Sequence, residues 1–165
     1  VEIAKLSGRR AAALITDMDR PLGHAVGNTL EVLEVLETLH GRGPEDLTEE
    51  CLELAANMIW LGEQAESLEL ARKKAKTALE TGKAFEKFCE MAEAQGADVR
   101  YMLDYGAGIV LKKTVGDAVQ KGEVIAELYG ASAEKCRDAE SVLHGAFRYG
   151  DEKTEECSLV LARVE

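Results

Sequence analysis

The sequence has 165 residues, 46% of them hydrophobic and 31% charged, which is enough for one ordinary domain or two small ones. With 31 acidic against 20 basic residues the net charge is −11. This argues against nucleic acid or an anionic membrane as the main partner, because both require a positive field. No signal peptide and no apolar run of about 20 residues is present.

The cysteine pattern favours reduced thiols. Cys51, Cys89, Cys136 and Cys157 are widely spaced and include no C-x-x-C pair. Cys51 and Cys89 fall in helical patterns, where buried thiols are common. Because reduced thiols are typical of the cytosol, we expect a cytoplasmic protein.

The first residues predict the end of a helix and then a strand. Val1 to Leu6 reads as a helix that Gly8 closes in the left-handed conformation. The unbroken apolar run Ala11 to Ile15 predicts a strand buried on both faces, as in parallel sheets. The first hundred residues contain no second strand of this kind. Either its partners lie outside this sequence, or the segment is something else, because a lone buried strand leaves its backbone unpaired.

After a glycine-containing loop from Asp17 to Gly27, four amphipathic helices are predicted, the first capped by Asn28. Apolar residues recur every three or four positions and define the faces expected to point inward. These residues are Leu30, Leu33, Leu36 (or Val35) and Leu39; Cys51, Leu54, Met58 and Leu61; Leu68, Ala71, Ala75 and Leu79; and Phe85, Phe88 and Met91. The run Arg72-Lys73-Lys74 is interpreted as a solvated helix face.

From Tyr105 the chain is rich in glycine and valine and predicts short strands. They span Ile109 to Lys113 and Val124 to Tyr129, with turns at Val115-Gly116-Asp117 and Lys121-Gly122-Glu123. A helix from Ala133 to Leu143 and a strand from Ser158 to Val164 follow. The predicted fold class is therefore α/β: residues 1–104 form a mostly helical piece of a mixed α/β domain, and residues 105–165 a small α+β domain.

One segment has a specific resemblance. Ten of the twelve positions from Pro21 to Val32 match the form P-L-G-x-A-V-G-N-x-L-E-V, which is similar to a loop and helix of the thymidine and pyrimidine-nucleoside phosphorylases. Weaker similarities follow in the family's order, at E-L-A-A-N-M, at T-G-K-A-F-E-K-F and in the stretch that begins D-Y-G-A-G-I-V-L.

The resemblance implies reversible phosphorolysis of uridine or thymidine to base and pentose 1-phosphate. Pyrimidine nucleoside and phosphate would be the substrates, and the protein would be a homodimer. In this family the phosphate-binding region and the residues that hold phosphate and pyrimidine lie upstream of anything matched here, and a second gap falls near Asp104. We therefore assign no catalytic and no substrate-binding residue, and we expect this chain to be inactive alone.

The same resemblance implies a site for potassium or a similar hard cation. The matching positions are the backbone carbonyls of Leu22 and Ala25 and the side chain of Glu34. Oxygen ligands without sulfur or imidazole suit such an ion. The alternative is that Glu34 is a solvated helix residue.

Other polar residues have simpler interpretations. His24 occupies a variable position of the motif and is expected on the surface, and His40 and His144 are expected to be structural. Asp17 and Asp19 could form a carboxylate pair for acid–base chemistry, but capping of the loop is favoured.

Two other classes of function stay open. One is a structural or interaction fragment without activity of its own. The other is a biotinyl- or lipoyl-like carrier module, which V-G-D-A-V-Q-K-G-E-V-I-A-E-L resembles. Against the carrier, the sequence has no lysine between two short residues at a hairpin tip, and no second half-motif.

Overall fold

The computed structural model describes residues 1–97, 107–130, 132–152 and 158–165. These residues contain both helices and short strands, so the chain is a mixed α/β protein, which confirms the predicted fold class. The predicted domain boundary at residue 104 lies outside the described residues. The helices are α1 (Glu2–Leu6), α2 (Asn28–Leu39), α3 (Glu45–Leu61), α4 (Leu68–Glu80), α5 (Lys83–Ala94) and α6 (Ala133–His144). The strands are β1 (Ala13–Thr16), β2 (Ala25–Val26), β3 (Gly108–Leu111), β4 (Ala126–Tyr129) and β5 (Val160–Val164).

The apolar run near the N-terminus forms strand β1, but not in the setting that the sequence predicted. It pairs with β5 in an antiparallel ladder that places Ala13 opposite Val164. The pairing continues where the Asp17 amide donates to the Leu159 carbonyl at 2.9 Å. Ile15 is 50% exposed, so the prediction that this strand is buried on both faces was wrong. The partner of β1 lies within this sequence, since the distant strand β5 accepts and donates its backbone hydrogen bonds. A sheet of only two strands leaves some of its side chains in solvent.

The second sheet has the order β2-β3-β4, with all neighbours antiparallel. It joins the loop before α2 to the C-terminal region, since Ala25 lies opposite Val110. Strands β3 and β4 are shorter than predicted, but the two glycine turns between them are confirmed, with φ of 92° at Gly116 and 89° at Gly122. In each turn a carboxylate accepts the amide three residues earlier: Asp117 from Thr114 at 2.8 Å, and Glu123 from Gln120 at 2.9 Å.

Single residues fix several helix ends, and Gly8 does so as predicted. Gly8 has φ of 69° just after α1, and Gly82 has φ of 78° between α4 and α5. The Ser67 hydroxyl caps α4 by accepting the Leu70 amide at 3.2 Å. The expected cap at Asn28 was wrong by one position, since Gly27 precedes the helix and Asn28 is its first residue.

The inward face of α3 differs from the prediction. The buried residues are Leu52, Ala56 and Asn57, whereas Cys51 is exposed and Met58 is 73% exposed. Leu54, also predicted to face inward, is 44% exposed. Cys89 on α5 is half-buried, so neither of the two thiols in helical patterns, Cys51 and Cys89, is fully buried. The cause is that α3 has apolar residues on two faces, and it turns its small residues toward α4, where Ala71 and Ala75 are also buried.

The basic run on α4 is only partly a solvated face. Arg72 donates to Glu53 at 3.2 Å and also to Glu49, so it ties α4 to α3. Lys73 remains exposed and pairs along its own helix with Glu69 at 2.7 Å. The interpretation as a surface run therefore holds for Lys73 and was wrong for Arg72.

Candidate functional site

The loop before α2 is held by one carboxylate. Glu34, one turn and a half into α2, accepts the amide of His24 at 2.9 Å and that of Ala25 at 3.0 Å, both on Oε1. A carboxylate that accepts two backbone amides forms charge-assisted bonds, which are about twice as strong as neutral ones. We call Pro21 to Gly27 the glycine loop. Glu34 is therefore a structural anchor of this loop and more than a solvated helix residue.

Gly23 permits this arrangement. Its φ of 69° lies in the left-handed region, and a Cβ at this position would lie 3.0 Å from Cδ of Glu34. The Gly23 amide donates to Oδ2 of Asp46 at 3.2 Å, which ties the loop to the first turn of α3. Any side chain at residue 23 would thus be strained and would also push the Glu34 carboxylate away.

Gly27 fixes the other end of the loop. Its φ is 131°, and a Cβ would lie 2.7 Å from the Ala107 carbonyl oxygen. Its amide donates to Oε1 of Glu31 at 3.1 Å, so the first turn of α2 reaches back to the loop. Sequence reasoning missed the roles of Glu31 and Asp46. The signal for Glu31 is its position four residues after the glycine that precedes the helix.

The electrostatic character of the loop follows from these contacts. Glu31, Glu34 and Asp46 together engage the amides of four residues, Gly23, His24, Ala25 and Gly27. Amide donors that are already bonded to carboxylates do not bind a phosphate, and three negative groups repel an anion. The loop is therefore suited to a cation and unsuited to phosphate.

Ala25 links the glycine loop to the second sheet. Its amide donates to Glu34 at 3.0 Å, and the residue lies opposite Val110 of β3. The neighbouring His24 carbonyl accepts the Leu111 amide at 2.7 Å, while the His24 amide also donates to Glu34. Glu34 and β3 therefore hold this end of the loop together.

The predicted cation ligands lie in or beside the glycine loop, and a hard cation at this site stays a prediction. Glu34 accepts both amides on Oε1, while its Oε2 lies against Gly23. Leu22 lies in the same loop, one residue before Gly23. Within the described ranges, no three or more His, Cys, Asp or Glu side chains form a metal cluster, but the predicted site needs only one carboxylate.

The other singled-out residues do not join this site. His24 has an exposed side chain, as expected. The ring of His40 contacts the Leu36 carbonyl through Nδ1 at 2.7 Å, and His144 lies 3.8 Å from Glu140. Asp17 accepts the Asp19 amide at 3.0 Å, which confirms that this pair caps the loop.

Comparisons with known proteins agree with this geometry. Residues 1–85 match the model of the glycosyl transferase family a/b domain, and residues 99–150 match that of the pyrimidine nucleoside phosphorylase C-terminal domain. The chain belongs to the pyrimidine-nucleoside phosphorylase family. It is thus a member of a family of glycosyltransferase-type enzymes.

Curated members of the family from several bacteria align with this chain. The chain is 31% identical to the pyrimidine-nucleoside phosphorylase of Geobacillus stearothermophilus over 212 residues, covering 99% of this chain and 49% of that protein. It is 35% identical to that of Staphylococcus haemolyticus and 34% identical to that of Bacillus subtilis, each over 78% of this chain and 41% of the relative. The chain spans about half the length of these relatives or less.

The first alignment is longer than the chain itself, so the Geobacillus protein contains residues with no counterpart here. This agrees with the internal gap expected from the sequence, whose position near Asp104 lies outside the described residues. Across the part of the chain that the structure describes, no helix has the length and apolar character that a membrane span requires.

Proposed function

We propose that this protein belongs to a pyrimidine-nucleoside phosphorylase system that acts on uridine or thymidine, with phosphate as the co-substrate. The observation that supports this most directly is the glycine loop, in which Gly23 makes room for the Glu34 carboxylate and Glu34 holds two loop amides. Gly23 belongs to the segment Pro21 to Val32 that resembles the family, and Glu34 follows that segment by two residues. The names of the curated relatives point to the same reaction.

In this reaction a phosphate oxygen forms a bond to C1′ of the nucleoside while the bond from C1′ to the pyrimidine nitrogen breaks. Positive charge develops on the sugar and negative charge on the departing base. Catalysis therefore needs donors that clamp phosphate and stabilise the base. The glycine loop does not supply them, because Glu31, Glu34 and Asp46 already accept its amides. We accordingly assign no catalytic or substrate-binding residue.

The role of the glycine loop in this proposal is to hold a cation and to fix the local backbone. The carbonyls of Leu22 and Ala25 and the carboxylate of Glu34 would hold potassium or a similar hard ion. When bound, such an ion neutralises part of the negative charge around the loop. Glu34 positions the backbone on one side through its two accepted amides, and Asp46 does so on the other.

We further propose that the protein acts in the cytoplasm as a homodimer. Apolar side chains on α1 support a partner surface: Ile3 is 82% exposed and Leu6 is 89% exposed. Exposed apolar side chains grouped on one short helix favour association over isolation in water.

The first experiment is a phosphorolysis assay of the 165-residue protein with uridine and with thymidine. We expect no base release above that of a heat-inactivated control, in phosphate buffer with potassium present. Measurable turnover would contradict the assignment of the phosphate and pyrimidine donors to residues outside this chain.

The second experiment tests the family function itself. Residues 21–39 of this chain, which include the glycine loop and α2, replace the matching segment of the Geobacillus stearothermophilus relative. We expect the chimera to retain phosphorolysis, and Glu34→Gln within it to weaken the dependence on potassium. A folded chimera that binds substrates but has lost all turnover would count against the loop's proposed role.

The carrier alternative has one structural argument in its favour, the matched turns at Gly116 and Gly122. Attachment of biotin or lipoate would have to use an exposed lysine near these turns, such as Lys121. Intact-mass measurement after co-expression with a biotin ligase or a lipoyl ligase distinguishes the carrier hypothesis from the phosphorylase hypothesis. We expect an unmodified mass of 17.9 kDa.

A further inference from the structure

An open cleft lies between the end of α3 and the outer face of α4, away from the glycine loop. Its volume is about 920 Å³, which is within the usual range for small-molecule sites. Trp60 and Leu70 supply apolar wall, together with Ala78. A group with a flat apolar surface therefore fits this part of the cleft.

The cleft is cationic although the protein is acidic. Its lining includes Arg10, Lys73, Lys74 and Lys83 against two carboxylates, while the whole chain has a net charge of −11. The four cations come from separate places: the segment before β1, two adjacent positions of α4, and the first residue of α5. A positive pocket in a negative protein concentrates anions locally.

The existing partners of these cations are exchangeable. Arg10 pairs with Glu63 at 3.3 Å and Lys73 with Glu69 at 2.7 Å, and both pairs are exposed. Exposed pairs of this kind contribute little in water, so a multivalent anion can replace the carboxylates. Lysine is a common phosphate ligand because it acts as a point charge with rotatable donors.

The rim of the cleft is already ordered. Glu63 has φ of 58°, and the Gln64 amide donates to the Ile59 carbonyl at 3.0 Å, which closes the end of α3. Lys74 donates to the carbonyl of Gln64 and so ties α4 to this rim. The guanidinium carbon of Arg10 lies 4.6 Å from the ring centroid of Trp60. A ligand would therefore meet a preformed surface, which lowers the entropic cost of binding.

We propose that this cleft binds a phosphomonoester attached to a planar group, such as a nucleoside monophosphate. The phosphate contacts Lys73 and Lys83. The planar group lies along Leu70 and Ala78 and against the Arg10 guanidinium, which covers the Trp60 ring together with Arg163, at 4.6 and 5.0 Å from the ring centroid. This proposed binding site is additional to the phosphorylase function, because it does not involve the glycine loop and does not require catalysis.

The test is a titration of the 165-residue protein with uridine monophosphate, with inorganic phosphate and uridine titrated separately. Trp60 is the chain's sole tryptophan, so its fluorescence reports on the cleft, and calorimetry provides a second readout. We expect the monophosphate to bind at least about tenfold more tightly than either component, since charged hydrogen bonds and apolar contact act together. Equal affinity for the monophosphate and uridine, equal affinity for the monophosphate and phosphate, or no binding at all would overturn the proposal.

Variants locate the binding. The double substitution Lys73→Ala with Lys83→Ala is expected to weaken monophosphate binding about tenfold or more, because it removes two charged donors. Lys87→Ala is the matched control, since Lys87 is an exposed lysine of α5 that pairs with Glu90 and does not line the cleft. Circular dichroism of both variants confirms that the helices persist. An unchanged affinity in the double variant, or an equal loss in the control, would refute the site.

Discussion

The exchange of Gly23 for alanine tests how the glycine loop is built. Gly23 has φ of 69°, and the added Cβ would lie 3.0 Å from Cδ of Glu34. The left-handed conformation costs a non-glycine residue about 1–2 kcal/mol. The displaced carboxylate would also lose its bonds to the His24 and Ala25 amides, and hydrogen bonds to a charged group contribute about 1.5–3 kcal/mol. Together these effects predict a loss of about 2.5–5 kcal/mol in the free energy of unfolding.

Gly41 provides the matched control. Its φ is 74°, almost that of Gly23, but a Cβ there would meet nothing within 4 Å. Gly41→Ala should therefore show only the conformational cost of about 1–2 kcal/mol. Urea unfolding followed by circular dichroism measures both variants, provided that the denaturant slope stays unchanged.

A double-mutant cycle then assigns the additional loss to Glu34. In a Glu34→Ala background the clash is absent, so Gly23→Ala should cost no more than Gly41→Ala. We expect a coupling energy of about 1.5 kcal/mol or more between positions 23 and 34. If Gly23→Ala and Gly41→Ala destabilise equally in the original background, the carboxylate does not anchor the loop as described.

Three further predictions concern other regions. Although Cys51 is an exposed residue, partial desolvation of its thiol and then the nearby Glu50 raise the pKa of this thiol, so a thiol reagent should modify it more slowly at neutral pH than an unstructured cysteine, with rates that converge at alkaline pH. The hydrogen bond from Lys113 and then that from the Gln120 amide lower the pKa of Glu123, so the stabilisation should be present above the ordinary glutamate pKa and be lost as pH falls through the lowered value; NMR titration of Glu123 in Lys113→Met should show its pKa raised toward the ordinary value but still below it, because the Gln120 amide remains. Removal of residues 160–165 should release β1, and limited proteolysis should then cleave near residues 9–20, whereas cleavage within α4 should stay unchanged.

The sequence predicted local structure well where one residue determines it. Gly8 ends a helix because it adopts positive φ without a steric penalty. Gly116 and Gly122 mark their turns for the same reason. These signals lie within a few residues of the structure that they determine, so one sequence suffices to find them.

The errors arose where the structure depends on distant residues. Nothing in Ala11 to Ile15 indicates that its partner is the last strand of the chain, some 150 residues later, because periodicity describes a strand and not its neighbour. On α3 the apolar pattern allowed two faces. The face that contains Ala56 is the buried one, because small side chains let α3 approach α4 closely. Arg72 of α4 then forms ion pairs with Glu49 and Glu53 of α3.

The same reasoning applies to the candidate site. The resemblance gave Leu22, Ala25 and Glu34 as cation ligands, and the structure brings the Glu34 carboxylate to the loop. No local pattern indicated that the Asp46 carboxylate accepts the Gly23 amide, because the two residues are 23 positions apart. Cation binding itself remains our proposal.

The small size of the buried apolar side chains explains why we expect activity to require more than this chain. In the described residues the buried apolar side chains are small: two leucines, Leu30 and Leu52, and otherwise alanines. Phosphorolysis needs a site that excludes water while charge develops, and such a site requires walls of larger buried side chains. A 165-residue protein that proves compact by small-angle scattering and does not bind a hydrophobic dye would contradict this argument.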